Sequence, residues 1–115
     1  MEEIKRMTIP LTDEELMENI KTFVKKYGVN PELKGFQYMC DMIFLMKKKK
    51  KYSRMAMEQL APELAEKYGI KWYSFQRQLR YAVTIKNLYG GKLLPVELMD
   101  LAYKNISLEK IVERN

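Results

Sequence analysis

Between Phe36 and Met46 apolar side chains fall on nearly every side of a helical wheel. A helix of that kind has no face to give to water, so other helices must surround it, and the chain is committed to a bundle with a buried central member. The flanking segments supply the partners. Leu16, Ile20, Phe23, Val24 and Tyr27 recur at helical spacing behind a capping box of Thr12 and Glu15, with Leu11 and Leu16 placed as a hydrophobic staple and Gly28 ending the run. Asn30 and Pro31 open the central helix, with proline at a first-turn position where its missing N–H costs nothing.

After the central helix, Ser53 can cap a third one carrying Met55, Leu60, Leu64 and Tyr68. Pro62 lies inside it and removes the bond to the Glu58 carbonyl, so this helix must kink or restart. A fourth helix, about Trp72 to Leu88, sets Trp72, Phe75, Leu79, Ala82 and Val83 on one stripe, a core assignment that includes the tryptophan. Tyr73, Ser74, Arg77, Arg80, Tyr81 and Thr84 fall on the opposite side. Beyond Gly90 and Gly91, Pro95 starts a short helix through Tyr103, and Ser107 can cap a last turn or two. No strand pattern competes. The expected fold is all-α, a compact bundle of about six helices in one domain, 1–115, with 1–11 as a flexible leading segment.

Composition removes most chemistry. The chain has no histidine and one cysteine, Cys40, which lies in the dense apolar run and reads as a small buried side chain in a reducing compartment. The usual zinc sites, the Cys–His and Ser–His nucleophile pairs and the commonest general base are therefore missing, and neither a metal nor a cofactor is expected. Gly90-Gly91-Lys92 ends a helix and is no phosphate cradle; Asp13, Glu14 and Glu15 complement a helix dipole. The sequence predicts no enzyme. It also has no apolar stretch long enough to span a membrane and no signal-peptide core at Met1 to Met7, so a cytoplasmic protein, nucleoid-associated in a bacterium, is expected.

Charge is distributed unevenly. Residues 47–92 hold 12 Lys and Arg against 3 acids, a local +9, while the rest sums to −3 and gives the net +6. Such a block seeks a polyanion. Two helical stretches joined at Gly69, the second with arginines on its outer face, have the sequence shape of a helix-turn-helix reader of duplex DNA. Arg77 and Arg80 share a side and can reach base edges or phosphates, because a guanidinium pairs in bidentate fashion with guanine. Ser74 and Gln76 lie nearer the helix start, the end such helices aim at the groove. Tyr81 and Tyr73 could stack on bases, touch a thymine methyl or pack on a neighbouring helix. The run Lys47, Lys48, Lys49, Lys50 and Lys51, with Lys71, is either solvated or in contact with phosphate, which adds affinity without sequence information. Two arginines on a solvated helix face are also common in proteins that bind nothing there.

Three stretches carry a family resemblance: Gly28 to Met39 (GVNPELKGFQYM), Leu60 to Tyr68 (LAPELAEKY) and Phe75 to Val83 (FQRQLRYAV). Together they resemble the C-terminal effector domain of the master response regulator of sporulation in spore-forming Firmicutes, without a gap from about Gly28 to Gly90. The Lys34-Gly35 pair, the mid-helix Pro62 and the Arg77/Arg80 spacing are its distinctive marks. The resemblance implies a six-helix domain that binds DNA through the helix bearing Arg77 and Arg80, often as a second copy in tandem on repeated boxes. It further implies that Arg77 and Arg80 contact DNA, that Gln76 replaces an acidic residue that helps read bases, and that Ser74 replaces a base-reading arginine. Loss of one bidentate arginine is worth about 1–3 kcal/mol of discrimination. The family regulator carries a receiver domain ahead of this one, for which the segment before the first helix is too short. Its extension after the reading helix touches the sigma subunit of RNA polymerase, and that extension is shortened here between Gly91 and Pro95.

Two functions follow as expectations. One is a stand-alone, sequence-specific regulator of transcription bound to double-stranded DNA. The other, motivated by Ser74, is a protein-interaction module that pairs with a related regulator and no longer reads sequence. A membrane-surface role ranks below both, because Trp72 and Phe75 are assigned to the core stripe and not to lipid.

Overall fold

The structure, a computed structural model, describes residues 5–83 and 93–114. In chain order these form β1 (Lys5–Pro10), α1 (Asp13–Lys26), α2 (Lys34–Lys49), α3 (Ser53–Gln59), α4 (Ala61–Lys67), α5 (Trp72–Val83), α6 (Pro95–Asn105) and β2 (Glu109–Arg114). The six helices are the expected bundle. Residues 84–92, which include Thr84, the predicted end of the fourth helix at Leu88, and Gly90-Gly91, lie outside the described residues.

α2 is the central helix, with Gly35, Phe36, Tyr38, Met39, Cys40, Met42, Ile43 and Met46 all buried. α1 lies against it through Leu16, Ile20 and Val24, and starts with the predicted capping box: the Glu15 N–H donates to Thr12 Oγ1 at 3.1 Å and the Thr12 N–H donates to Glu15 Oε1 at 3.1 Å. This reciprocal pairing satisfies two of the amides that a helix start leaves open. α6 closes the other side with Leu98, Met99 and Ala102, after Pro95 at its first turn as predicted. The Glu97 carboxylate accepts from the Leu94 N–H at 3.3 Å.

The third predicted helix restarts at Pro62. Leu60 is at once the C-cap of α3 and the N-cap of α4: its N–H donates to Ala56 O at 2.8 Å, and its own carbonyl accepts from the Leu64 N–H at 3.0 Å. Pro62 then occupies the first turn of α4, where no intrahelical donor is required.

Five expectations are corrected. Ser53 does not cap the third helix; Tyr52 holds the N-cap position, Ser53 is the first residue of α3, and its N–H donates to Asp100 Oδ1 at 3.2 Å. Pro31 does not start a helix; Asn30 Oδ1 accepts the Glu32 N–H at 2.9 Å and the Leu33 N–H bonds Asn30 O at 3.1 Å, a side-chain-stabilised turn that delays α2 to Lys34. Ser107 does not cap a last helical turn; its Oγ accepts the Glu109 N–H at 3.0 Å and launches β2. The segment taken as a flexible lead contains β1, which pairs antiparallel with β2 from Lys5↔Arg114 to Pro10↔Glu109. Lys-Arg-Met-Thr-Ile-Pro alternates too weakly to read as a strand until Glu-Lys-Ile-Val-Glu-Arg, a hundred residues on, is set beside it. Finally, Trp72 is 36% exposed instead of core, because as the first residue of α5 it lies at the rim and stacks on Phe75 at 6.4 Å between ring centroids.

Candidate nucleic acid interface

α4 and α5 form the helix-turn-helix. α4 stops on a left-handed glycine: Gly69 has φ +69°, its N–H donates to Glu66 O at 3.0 Å, and the Ile70 N–H reaches Ala65 O at 3.0 Å. Those two bonds satisfy the last carbonyls of α4 while reversing the chain, a geometry that a side chain at position 69 would strain. α5 begins three residues later.

α5 is held by its inner stripe. Phe75, Leu79, Ala82 and Val83 are buried, and Tyr38 of α2 stacks on Phe75 at 4.9 Å between centroids. Tyr38 also meets Tyr68 at 4.7 Å, and the Tyr68 hydroxyl donates to Asp41 of α2, whose other carboxylate oxygen accepts from the Gln37 amide at 2.9 Å. Burial, and then the bond to Asp41, pushes the Tyr68 phenol above its ordinary range. The turn between the two helices is thus tied to α2 by one aromatic stack and one carboxylate.

α5 packs tightly against α2 at Gly35. A Cβ there would meet the Gln78 carbonyl oxygen at 2.1 Å and Ala82 Cβ at 2.6 Å, so α5 crosses α2 with no space between them for a methyl group. Residue 35 was marked in the sequence only as part of a family motif. Its role as the seat of α5 is visible in one respect: a glycine inside a helical pattern is costly, by roughly 1 kcal/mol relative to alanine, unless close packing requires it.

The opposite face of α5 is open. Arg77 and Arg80 are exposed, Tyr73 is 58% and Tyr81 67% exposed, and Ser74 and Gln76 are half-buried at the edges of the same face. Gln76 and Arg80 line a groove of about 360 Å³ with Met57, Leu79, Leu94, Pro95 and Val96. Lys71 is exposed in the turn, its ammonium 5.9 Å from the centre of the Tyr73 ring. The helix carries two arginines and no acid. With no carboxylate in its first turn, the positive end of its dipole is not offset there.

The lysine run stands elsewhere. From Gly35 to Lys47 is twelve residues of one helix, about 18 Å. Lys47 is half-buried, donates to Tyr103 O at 2.9 Å and lies 4.9 Å from the Tyr103 ring centre; burial lowers its pKa. Lys48 pairs with Asp13 at 2.9 Å, Lys49 with Glu63 at 3.9 Å, and Lys51 donates to Gln59. Lys50, exposed, takes the left-handed cap at φ 54°. Four lysines therefore reach four different helices, and the run fastens the end of α2 to α6, α1, α4 and α3.

The described residues include no helix long and apolar enough to cross a membrane. Cys40 is fully buried, and burial pushes its thiol up to about 12, which leaves it without nucleophilic character at neutral pH. No individual curated protein matches the chain. The family described as Sporulation initiation factor Spo0A C terminal matches residues 20–113, which takes in every helix from the middle of α1 onward, the Gly35 seat and the whole helix-turn-helix. The chain belongs to that family, the DNA-binding, transcription-regulating effector domains of the sporulation response regulator.

Proposed function

We propose that this protein reads duplex DNA in a sequence-dependent manner, with α5 in the major groove. The observation that carries the reading is the outer face of α5, where Arg77 and Arg80 are exposed, on a helix packed closely against α2 at Gly35. In this reading Arg77 and Arg80 reach base edges, Ser74, Gln76 and Tyr81 border them, and Lys71 and Tyr73 meet the phosphates before the helix. Lys50 is the member of the lysine run best placed to add a phosphate contact. The protein acts by binding and not by catalysis, in keeping with its lack of histidine and its sealed thiol.

Arg77→Glu with Arg80→Glu should abolish binding to duplex DNA and leave the melting temperature within a few degrees of the parent, since both side chains are exposed. Selection from random duplexes should enrich a defined box. Binding that survives the double change would remove α5 as the reading helix. Enrichment of no sequence, with purely salt-sensitive binding, would favour the rival reading of an interaction module that has lost base recognition.

A further inference from the structure

The β ribbon is unaccounted for by DNA reading, and β1 lies outside the residues matched to the family. Apart from the Lys110–Glu15 ion pair and the Leu11 N–H to Leu108 O bond at its base, its strands contact each other and no helix among the described residues. A two-stranded ribbon alone is marginal in water, and its edges, unpaired among the described residues, are templates for another strand. It also exposes apolar residues, Met7 at 47% and Ile111 at 70%.

We propose that the β1 edge is a self-pairing surface: Lys5–Pro10 of two copies lie antiparallel about a two-fold axis at Thr8, giving a four-stranded sheet in the order β2, β1, β1, β2. The inference goes beyond DNA reading and does not depend on it. Its support is the fit of β1 to itself. In an antiparallel pair related by a two-fold axis, side chains directly opposite must share a face, so one residue necessarily faces its own copy. Centring β1 on Thr8 sets Thr8 against Thr8, Met7 against Ile9 twice and Arg6 against Pro10 twice. Hydroxyl meets hydroxyl, apolar meets apolar, and no like charges are opposed. Arg6 keeps its own partner, Glu113 of the same copy, at 3.4 Å.

Four other arrangements fit less well. Centring β2 on Ile111 opposes Glu109 to Glu113 twice, and centring it on Val112 opposes Ile111 to Glu113 twice. Centring β1 on Ile9 would require Leu11, which is bonded to Leu108 and packed against the core. Pairing β1 with β2 of a copy is head-to-tail and leaves edges open for further chains. The dyad at Thr8 closes, and the edges it leaves are the two β2 strands guarded by Glu109 and Glu113. It also joins Met7, Ile9 and Val112, which share one face by the ribbon register, to the same three from the second copy in a single apolar strip.

The test uses the full chain without DNA, so its outcome is separate from that of the DNA reading. Thr8→Cys should form a disulfide-linked dimer on mild oxidation about tenfold faster than Ile111→Cys, because only position 8 faces itself. The parent chain, whose one thiol is buried, is the control. By sedimentation equilibrium the parent mass should rise toward twice the monomer value with concentration and hold from about 0.1 to 1 M salt, since two copies of charge +6 repel less when screened. Thr8→Lys should remain monomeric with an unchanged far-UV circular dichroism spectrum. A concentration-independent monomer, equal rates for the two cysteine variants, or association lost on adding salt would each overturn the proposal.

Discussion

Gly35 and Gln78 approach so closely that a methyl group on the first would lie 2.1 Å from the carbonyl oxygen of the second. The obstacle is backbone, which cannot swing aside as a side-chain tip can, so Gly35→Ala must push α5 away from α2. A loss of about 1–3 kcal/mol is expected, typical of overpacking a filled core, despite the better helix propensity of alanine. Urea unfolding would measure it as a lower midpoint at constant slope, and DNA affinity should fall with it.

The Tyr68–Asp41 bond holds the turn of the helix-turn-helix to α2. Because the phenol titrates above its ordinary value in the folded chain, its contribution is complete below about pH 10, the unfolded value, and is lost as pH rises toward the folded one. Tyr68→Phe should flatten that alkaline decline. Asp41→Ala, which also strands the Gln37 amide, should cost about 1–3 kcal/mol by thermal or urea denaturation.

Basic residues that look alike in sequence should separate by their salt dependence. Lys71→Ala should reduce the log–log slope of DNA affinity against salt by about 0.9, the signature of one phosphate contact. Lys47→Met should leave that slope unchanged, because the Lys47 ammonium is spent on the Tyr103 carbonyl, and should instead lower stability by about 0.5–1.5 kcal/mol. A slope that drops with Lys47→Met would show that this bond opens on DNA.

The Glu15 carboxylate takes part in two bonds at once, one from the Thr12 N–H in the α1 capping box and the ion pair with Lys110 at the foot of the ribbon. The hydrogen bond from Lys110, then that from the Thr12 N–H, holds its carboxyl below the ordinary value. The stabilisation is therefore present above the unfolded carboxylate pKa, about 4.3, and disappears as pH falls through the lower folded one. The Thr12 amide and the Lys110 ammonium should shift together in an acid NMR titration, and Glu15→Gln should remove the transition from both.

Legibility in sequence followed the range of the interactions. The Thr12–Glu15 box, the break at Pro62 and the buried stripe of α5 from Phe75 to Val83 depend on residues three or four apart and follow from the spacing; Trp72, at the end of that stripe, does not, because the helix start places it at the rim. Pro31 misled because it obeys two rules, first-turn helix and turn, and the Asn30 side chain decided for the turn. The ribbon was missed because its strands recognise each other across the whole chain and neither is persuasive alone. Within the candidate interface, the exposed arginines and tyrosines of α5 were legible from period alone. What the period does not encode is distance: it neither places the lysine run some 18 Å along α2 nor reveals that Gly35 touches Gln78.

Leu60 alone joins two helices, serving as the C-cap of α3 and the N-cap of α4. Inserting or deleting a single amino acid there would turn α4, and α5 behind it, by about 100° relative to the core. Changes of length at the α3–α4 joint should therefore be poorly tolerated, and the joint must keep its residue count even where its side chains vary.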